Sequence, residues 1–345
     1  MTLTGNYYRE CDRQGVCNLV SMPPYDGGDK AQYEADLDAF VCGWANHPSI
    51  LMWYTDFNTC GYPWNQDPAK LNDTAYVPKN KLQDRAKALY AGSVMERLDP
   101  SRPTFQHAGG NSGRIFTSMN YQSFGTPLQE QMDWPAQWAK SHTQPLISVE
   151  SAFPFPAQFR HFGQARGPYL YAENAARYFG DSIYEQSSPE QPDSGWNSGK
   201  AGTIRENGVT RNRMDHAMER TAELWLTRCL KAWRAYDISG IWLFEATRDY
   251  FSSAVAEQKE LPASADLTAP GAKPDYSSEY SYDYPNRLHA ATSAGQRPFL
   301  AFLAGRPERF SSREHAYHSG DTVLKQMIFS NDFLKPVKAE ASWRI

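Results

Sequence analysis

The sequence predicts an α/β protein built on a parallel sheet. Short apolar runs alternate along the chain with longer segments in which apolar residues recur at spacings of three and four. Strands that alternate with helices favour parallel pairing through right-handed crossovers. Six strands are predicted, at residues 16–22, 49–55, 103–108, 114–121, 145–150 and 238–246.

Helices are predicted between and after these strands, at residues 29–46, 80–98, 127–140, 169–186, 214–236 and 296–304. The buried face of the first helix is predicted to carry Tyr33, Leu37, Phe40, Val41 and Trp44. The second helix ends before Asp99-Pro100, because a residue that precedes proline disfavours the helical conformation. Its inward residues are predicted to be Leu82, Ala86, Leu89, Tyr90 and Val94. The strongest periodicity belongs to helix 214–236, with Met218, Ala222, Trp225, Cys229, Trp233 and Tyr236 on one face.

Two segments break the alternation. Residues 151–213 are rich in proline and glycine and are predicted to be mostly loop, interrupted by helix 169–186. A loop of this length inside a compact domain is usually functional. Residues 252–292 are polar and are also predicted to be loop. The last residues, from GDTVLKQMIFSND onward, alternate in the manner of antiparallel strands.

The composition is that of an ordinary globular protein. Of the 345 residues, 41% are hydrophobic and 21% are charged. The net charge of −4 and the lack of a dense Lys/Arg run argue against a nucleic-acid partner, and no apolar run is long enough to span a membrane. The N-terminus, MTLTGNYYRECDRQ, lacks an apolar signal core, so the sequence predicts either a cytoplasmic protein or a chain without its leader. Aromatic residues reach 14%, which fits both a sugar-binding cleft and a tryptophan-rich core.

The five cysteines, at positions 11, 17, 42, 60 and 229, follow no metal-binding spacing. Cys42 and Cys229 lie on predicted helical faces, and Cys17 lies in a strand-like run. We expect the cysteines to be small buried apolar groups rather than disulfides.

Six ordered segments resemble the catalytic barrel of family 2 glycoside hydrolases, the β-galactosidase and β-glucuronidase type of clan A. ECDRQGVCNLVSMPPY resembles the start of that family's third strand, and NHPSILMWYTDFN is similar to its fourth. LDPSRPTFQHAGG, RIFTSMNYQ, QPLISVESAF and GIWLFEA resemble strands five to eight. The similarity runs from about residue 5 to residue 250, and its most specific part is the segment from His47 to Trp53.

The resemblance implies an incomplete (β/α)₈ TIM barrel of about six strands, which match family strands three to eight, with a partial C-terminal β-strand segment. Relative to the family, the chain is expected to be truncated at both ends. The implied domains are a partial barrel at 1–250 with the loop-rich insertion 151–213, a loop and short helix at 251–305, and the remnant of a β-sandwich at 306–345. In such a barrel, the active site lies at the carboxyl ends of the strands.

The resemblance implies that Glu150 is the nucleophile of a retaining mechanism, because Glu150 closes the strand that carries the nucleophile in the family. A retaining glycosidase uses two carboxyl groups about 5–5.5 Å apart, one as the nucleophile and one as the acid/base. The alternative for Glu150 is a surface ion pair at the end of a strand.

The acid/base of the family has no match in this chain. The family's Asn-Glu pair falls on Asn58 and Thr59, or the Glu falls on Asn58 if no residue is inserted, and neither side chain can donate a proton as a general acid. Asp56 is the preferred substitute, although it fits equally well as the cap of a turn. Glu245 and His107 are the other candidates, and the remaining alternative is a site that mainly binds.

Supporting roles follow from the same resemblance. Tyr121 follows the sixth family strand, where a tyrosine contacts the nucleophile, and Trp242 lies near the tryptophan that forms a floor under the sugar. Both residues fit the protein core equally well. His107 and Asn58 are candidates to bond sugar hydroxyl groups, whereas Trp53 is expected to be a core residue.

The function predicted from the sequence is therefore a retaining glycoside hydrolase that cleaves β-linked, galactoside- or glucoside-like sugars. The alternative is a carbohydrate-binding pseudoenzyme without a competent acid/base. The expected partner is an oligosaccharide or glycoside, with no cofactor, no metal, no nucleic acid and no membrane. Open strand edges favour pairing with another chain, so we expect a homo-oligomer that covers the barrel edges.

Overall fold

The computed structural model describes residues 5–55, 67–73, 81–119, 126–151, 176–182, 203–206, 209–212, 216–243, 251–252, 284–285, 287–313, 316–342 and 344. The chain divides into two compact units. Unit 1 comprises Met1–Tyr121, Trp134–Ser151 and Tyr236–Leu243, and unit 2 comprises Gln122–Asp133, Ala152–Ala235 and Phe244–Ile345.

Helices and strands alternate through most of the described residues. The helices are α1 (Gly5–Gln14), α2 (Lys30–Trp44), α3 (Leu82–Leu98), α4 (Leu128–Met132), α5 (His216–Ala235) and α6 (Arg287–Gly295). The strands are β1 (Asn18–Ser21), β2 (Ile50–Thr55), β3 (Thr104–Gln106), β4 (Phe116–Met119), β5 (Leu146–Ser151), β6 (Thr203–Glu206), β7 (Val209–Asn212), β8 (Gly240–Leu243), β9 (Phe251–Ser252), β10 (Tyr284–Pro285), β11 (Phe299–Ala304) and β12 (Gln326–Asn331).

Unit 1 contains two three-stranded parallel sheets. The first has the order β1-β2-β3, with Val20 opposite Trp53 and Trp53 opposite Thr104. The second has the order β4-β5-β8. The parallel pairing agrees with the alternation of strands and helices in the sequence.

The ends of β3 and β4 are joined by a short bridge. Gly110 and Thr117 exchange two backbone hydrogen bonds, of 2.9 and 3.0 Å. The hydroxyl of Thr117 donates to the carbonyl oxygen of Gln106 and accepts from the backbone N–H of Gly109. The six strands therefore follow one another in chain order, although the described sheets do not close into a ring. The incomplete barrel stays a prediction.

One apolar cluster receives side chains from both sheets. It contains Phe105, Ala108, Ile115, Ile147 and Val149, with the partly buried Leu19, Met52, Tyr54 and Trp242 packed against it. Successive side chains of a strand point to opposite faces, so Met52 and Tyr54 share this inner face while Trp53 points away. The sequence pattern of β2 therefore decides which of its aromatic rings faces the inner cluster.

The other face of β1 and β2 packs against helices. Leu37 of α2 and Trp53 are fully buried there, together with Val20, Ile50, Ala91 and Met95. Burying an aliphatic side chain of this size contributes about 1.5–3 kcal/mol. This cluster confirms the predicted core role of Trp53 and the predicted inner face of α2.

Trp53 is also fixed by a buried polar network. Its indole N–H donates to Asp99 at 2.8 Å, and the same carboxylate oxygen accepts from Arg102 at 2.7 Å. Arg102 donates further to the backbone carbonyl oxygens of Ala45, His47 and Ile50. Burial alone would raise the pKa of Asp99, but hydrogen bonds from Ser101, Trp53 and Arg102 hold it below its ordinary value.

Asp12 of α1 ties the first helix to the turn before β2. Its carboxylate lies 2.6 Å from Nδ1 of His47 and accepts the backbone N–H of Ser49 at 2.9 Å. Burial alone would raise the pKa of Asp12, but hydrogen bonds from Ser49 and His47 lower it to about 2. Two segments that resemble the family, ECDRQG and NHPS, are thus in direct contact. Helix α1 itself is absent from the elements predicted from the sequence.

Two predicted helices, 127–140 and 169–186, are not continuous in the structure. Helix 127–140 ends at Met132, and two 3₁₀ turns follow at Trp134–Ala136 and Trp138–Lys140. Pro135 explains this, because proline removes a backbone donor and clashes inside a helix. Residues 176–179 are helical, but Gly180 has a φ of 76°, so helix 169–186 is interrupted there.

The helix predicted at 296–304 is wrong. Residues 299–304 form β11, which pairs with β12 in an antiparallel register from Phe299 opposite Asn331 to Ala304 opposite Gln326. The helix lies earlier, as α6, and begins inside the segment 252–292 that was predicted to be loop. Similarly, β6 and β7 form a hairpin inside the predicted loop 151–213. For the short apolar run 299–304, pairing with the distant β12 decides the state, and local periodicity does not reveal it.

Two burial predictions also need correction. The inner face of α3 carries Ala88, Ala91, Val94 and Met95. The predicted Leu82 is 56% exposed, and the predicted Ala86 is exposed as well. Among the described cysteines, all of them free, Cys11 and Cys229 are buried, but Cys17 and Cys42 are exposed. Cys17 precedes β1, and Cys42 lies on the outer face of α2, which explains their exposure. Cys60 lies outside the described residues.

Unit 2 is organised around α5. Its predicted face is confirmed for Ala222, Trp225, Cys229 and Trp233, all of which are buried. Helix α6 packs closely on α5, since a Cβ at Gly295 would lie 3.2 Å from the side chain of Leu230. None of the helices in the described part of the chain is long and apolar enough to cross a membrane.

Candidate active site

The structure brings together the three predicted site residues that it describes. Glu150, His107 and Trp242 lie at the carboxyl ends of β5, β3 and β8, within unit 1. The other predicted site residues lie outside the described residues, namely Asp56, Asn58, Thr59, Tyr121 and Glu245.

A β-bulge directs the side chain of Glu150. Strand β5 pairs with β8 through Ser148 opposite Ile241 and Ser151 opposite Leu243. Three steps along β5 thus match two steps along β8, so β5 carries one extra residue. Glu150 lies in this bulge with a φ of 48°, in the left-handed region that only glycine adopts freely.

The bulge changes which face carries the carboxylate. In an unbroken strand, Glu150 would share a face with Ser148, opposite to the inward Ile147 and Val149. The extra residue and the left-handed backbone break that alternation, and the carboxylate reaches His107 instead. Backbone strain of this kind amounts to about 1–3 kcal/mol and is found mainly at functional sites. A hydrogen bond between the hydroxyls of Ser148 and Ser151 spans the bulge.

Glu150 and His107 form a close, buried pair. Nε2 of His107 lies 3.2 Å from Oε1 of Glu150, and the side chains are 2% and 9% exposed, respectively. The contact is an ion pair only when His107 is protonated, because a neutral imidazole carries no charge. In both states the ring nitrogen restricts the position of the carboxylate.

A tight turn after β3 places His107. The backbone N–H of His107 donates to Thr55, and the N–H of Gly109 donates to Gln106 at 3.0 Å. A Cβ at Gly109 would lie 2.3 Å from Cβ of Gln106, so only glycine fits there. Gly109 and Gly110 therefore allow the tight turn that holds the ring of His107 on the inner face.

Aromatic rings surround this pair on the inner face. The rings of Tyr54, His107 and Trp242 contact one another, with centroid distances of 5.5 to 5.9 Å. The ring of Tyr54 also stacks on Phe105 at 5.4 Å. Trp242 thus packs against the inner cluster, which is the position expected of a core residue. Its ring also contacts the ring of His107.

Tyr54 is a site residue that was missed in the sequence. Burial raises the pKa of its hydroxyl, a hydrogen bond with Ser21 opposes the rise, and the negative charge of Glu150 adds to it. The position of Tyr54 could have been inferred from the alternation of side-chain faces along β2. Because Trp53 faces the helices, the tyrosine next to it must face the inner cluster.

The geometry supports carboxylate chemistry. A buried carboxylate at a strand end, fixed by a histidine and bordered by aromatic faces, can act as a nucleophile or as a base. In the described ranges, no group of three or more His, Cys, Asp or Glu side chains could hold a metal ion. Two cavities lined by unit 2 residues do not contain Glu150.

Searches against known proteins give limited similarity. No protein-family model and no curated protein matches the chain. Among solved structures, a β-glucuronidase from Bacteroides uniformis is 18% identical over 43% of this chain and 19% of that chain, with a TM-score of 0.33.

Two structures of a β-glucuronidase from Parabacteroides merdae each match 87% of this chain. One has glycerol in its active site and is 13% identical, with a TM-score of 0.43 over 32% of its length. The other is 11% identical, with a TM-score of 0.37 over 34% of its length. This chain therefore spans about a third or less of the length of the β-glucuronidases that it matches. It is similar in part to these enzymes, and with identities below 25% and TM-scores below 0.5 the similarity carries no argument about its activity.

Proposed function

We propose that the protein is a retaining glycoside hydrolase that cleaves β-linked sugars, with Glu150 as its nucleophile. The observation that carries this proposal is the bulge in β5. It turns a buried carboxylate away from the face that strand alternation assigns to it and towards His107. A carboxylate that served only a surface ion pair would need neither a left-handed backbone nor burial among aromatic rings.

The aromatic surroundings fit a sugar substrate. Pyranose rings present C–H groups on their faces, and these pack well against aromatic side chains. Trp242 and Tyr54 supply such faces within the cluster around His107. The hydroxyl groups of the sugar need hydrogen-bond partners, which the polar residues after the strands can provide.

The proposed reaction has two displacements. Glu150 attacks the anomeric carbon, the glycosidic bond breaks, and an acid protonates the departing oxygen, which leaves a glycosyl ester on Glu150. The acid then returns as a base, removes a proton from water, and the resulting attack on the anomeric carbon releases the sugar and regenerates the carboxylate. The anomeric configuration of the substrate is therefore retained.

Asp56 is the proposed acid/base. It follows β2 directly in the sequence, two residues after Tyr54. Glu245, two residues after the end of β8, and His107 are the other candidates. Asn58, Thr59 and Tyr121 remain proposed contacts of the sugar.

The sequence keeps one competing function open. Because Asn58 and Thr59 stand where the family carries its Asn-Glu pair, a site that holds sugars without cleaving them is the alternative. The distinguishing property is covalent chemistry at Glu150, which a binding module does not need.

Covalent trapping tests the proposal. A 2-deoxy-2-fluoro glycoside with a dinitrophenyl leaving group needs no acid in the first step, while the fluorine slows hydrolysis of the glycosyl ester. A small panel would include the gluco, galacto and glucuronic acid forms. We expect intact-mass spectrometry to show one added glycosyl group on the wild-type protein and peptide mapping to place it on Glu150.

Two variants make this test specific. Glu150→Gln removes the nucleophile and nearly preserves the side-chain shape, so it should give no adduct. Glu130→Gln changes an exposed glutamate of unit 2 and should label as the wild type does. No adduct with any sugar, together with saturable sugar binding, would establish the binding alternative instead.

A further inference from the structure

The bulge in β5 exchanges the faces of two neighbouring side chains. By regular alternation, Ser151 would point to the inner face, and Glu150 would share the opposite face with Ser148. In the structure, the carboxylate of Glu150 contacts His107 on the inner face instead. The hydroxyl of Ser151 forms a hydrogen bond with the hydroxyl of Ser148. One extra residue in the strand thus moves both side chains.

The register of β5 against β8 shows the same exchange. Ser148 lies opposite Ile241, and Ser151 lies opposite Leu243. Ile241 and Leu243 are two residues apart in β8, so they share a face. Trp242, which stands between them, packs against the inner cluster. Ser148 and Ser151 therefore both lie on the face that turns away from the inner cluster.

The hydrogen bond between the two serines favours the bulged register. Ser148 and Ser151 are both 0% exposed. A buried hydroxyl without a partner is unfavourable, because it has given up its hydrogen bonds to water. In the regular register, the two hydroxyls would lie on opposite faces of the strand and could not reach each other. Their bond therefore exists only when Glu150 is turned towards His107.

We infer that Ser148 and Ser151 are positioning residues for the nucleophile, an inference that rests on the proposed function of Glu150. Their hydrogen bond holds the extra residue of β5 in place, and the extra residue turns the carboxylate of Glu150 to the inner face. The two serines lie on the opposite face from that carboxylate. They therefore act through its orientation and not through contact with the substrate.

Strand β4 offers a matched control. Ser118 lies opposite Ser148 in the parallel register and so shares its face. Ser118 is also 0% exposed, but its hydroxyl has no hydrogen-bond partner in the part of the chain that the structure describes. Ser118→Ala therefore removes a buried hydroxyl of the same chemistry without breaking a hydrogen bond.

The rate of covalent trapping measures the attack by Glu150 alone. With the 2-deoxy-2-fluoro glycoside that labels the wild type, we expect Ser151→Ala to lower the maximal trapping rate constant about tenfold or more, since a misplacement of about 1 Å can cost about 10²-fold. The glycoside concentration that gives half of the maximal rate reports binding and should change little.

Two further variants show whether the hydrogen bond causes this loss. Ser148→Ala lacks the same hydrogen bond, so it should slow trapping by a similar factor, and combining it with Ser151→Ala should add little. Ser118→Ala should trap as fast as the wild type. Unchanged trapping in Ser151→Ala, or an equal loss in Ser118→Ala, would overturn the inference.

A measurement of stability keeps this inference separate from the proposed function. If the wild type forms no adduct with any sugar, the proposed function fails, but the effect of the serines on the bulge is still measurable. Glu150→Gly should unfold at a higher urea concentration than Glu150→Ala, because residue 150 has a φ of 48°. In a Ser151→Ala background, alanine at position 150 can adopt the regular register, so this gap should shrink. A gap of unchanged size would show that the serine pair does not hold the bulge.

Discussion

Nε2 of His107 lies 3.2 Å from Oε1 of Glu150, although the two residues come from different sheets of unit 1. The contact exists because two departures from regular strand geometry meet. A glycine turn follows β3 and holds His107, and a bulge rotates Glu150 within β5. We therefore predict that His107 positions the proposed nucleophile.

His107→Phe should lower kcat on activated aryl glycosides by about 10²-fold, the usual effect of removing one preorganised polar contact in an active site. The phenyl ring keeps the packing against Tyr54 and Trp242, so KM and the thermal unfolding midpoint should change little. Steady-state kinetics and calorimetry measure these quantities. A variant with unchanged kcat would show that the pair has no part in turnover.

Because of the bulge, we expect glycine at position 150 to give a more stable protein than alanine, the reverse of the order in a regular strand. In an ordinary strand, glycine is about 0.5–1 kcal/mol less stable than alanine. At position 150, where φ is 48°, we expect Glu150→Gly to be more stable than Glu150→Ala by about 1 kcal/mol. Urea unfolding measures the difference. Ser148→Gly and Ser148→Ala, in the regular part of the same strand, should show the ordinary order.

Asp12 predicts a loss of stability in acid. Its folded pKa of about 2 lies below the ordinary value of 3.8, so its contribution is fully present above about pH 4. The contribution is lost as the pH falls towards 2, because the unfolded chain takes up the proton first. Asp12→Asn lacks this titration, so the gap in unfolding midpoint between wild type and variant should shrink from pH 5 to pH 2. A constant gap over that range would contradict the assignment.

Arg102 should not tolerate lysine. Its guanidinium joins Asp99 to three backbone carbonyl oxygens, and its side chain is only 16% exposed. Lysine cannot reproduce this fork of donors, so Arg102→Lys should lower the free energy of unfolding by roughly 2 kcal/mol. The matched Arg97→Lys, at a side chain 60% exposed, should change it by less than about 0.5 kcal/mol. Denaturant titration of both variants measures these free energies, and equal losses in the two variants would contradict the prediction.

The sequence predicts the strands of unit 1 well because their signals are local. Apolar runs bounded by turn residues locate β1, β2 and β5 to within two residues, and the period of α5 identifies its buried Ala222, Trp225, Cys229 and Trp233. The β6–β7 hairpin was missed although Asn207-Gly208, the dipeptide between its strands, is a local hairpin signal. The state of residues 299–304, in contrast, depends on a partner strand elsewhere in the chain. Neighbouring residues carry no record of such pairing.

The candidate site was predictable only in part for a similar reason. The position of Glu150 at the end of β5 was predicted from the sequence. The contact of Glu150 with His107 depends on a bulge that the sequence LISVES does not predict. Tyr54 was within reach of the sequence, since alternation with the buried Trp53 assigns it to the inner face. Asp56, Asn58, Thr59, Tyr121 and Glu245 lie outside the described residues and stay predictions.

The contact of Asp12 with His47 and Ser49 changes how the family-like segments should be used. The most specific part of the resemblance includes His47 and Ser49, and here these residues fasten the first helix to the turn before the second strand. A search for glycosidases that resemble this chain should therefore score the residues that follow the strands and give less weight to the NHPS segment.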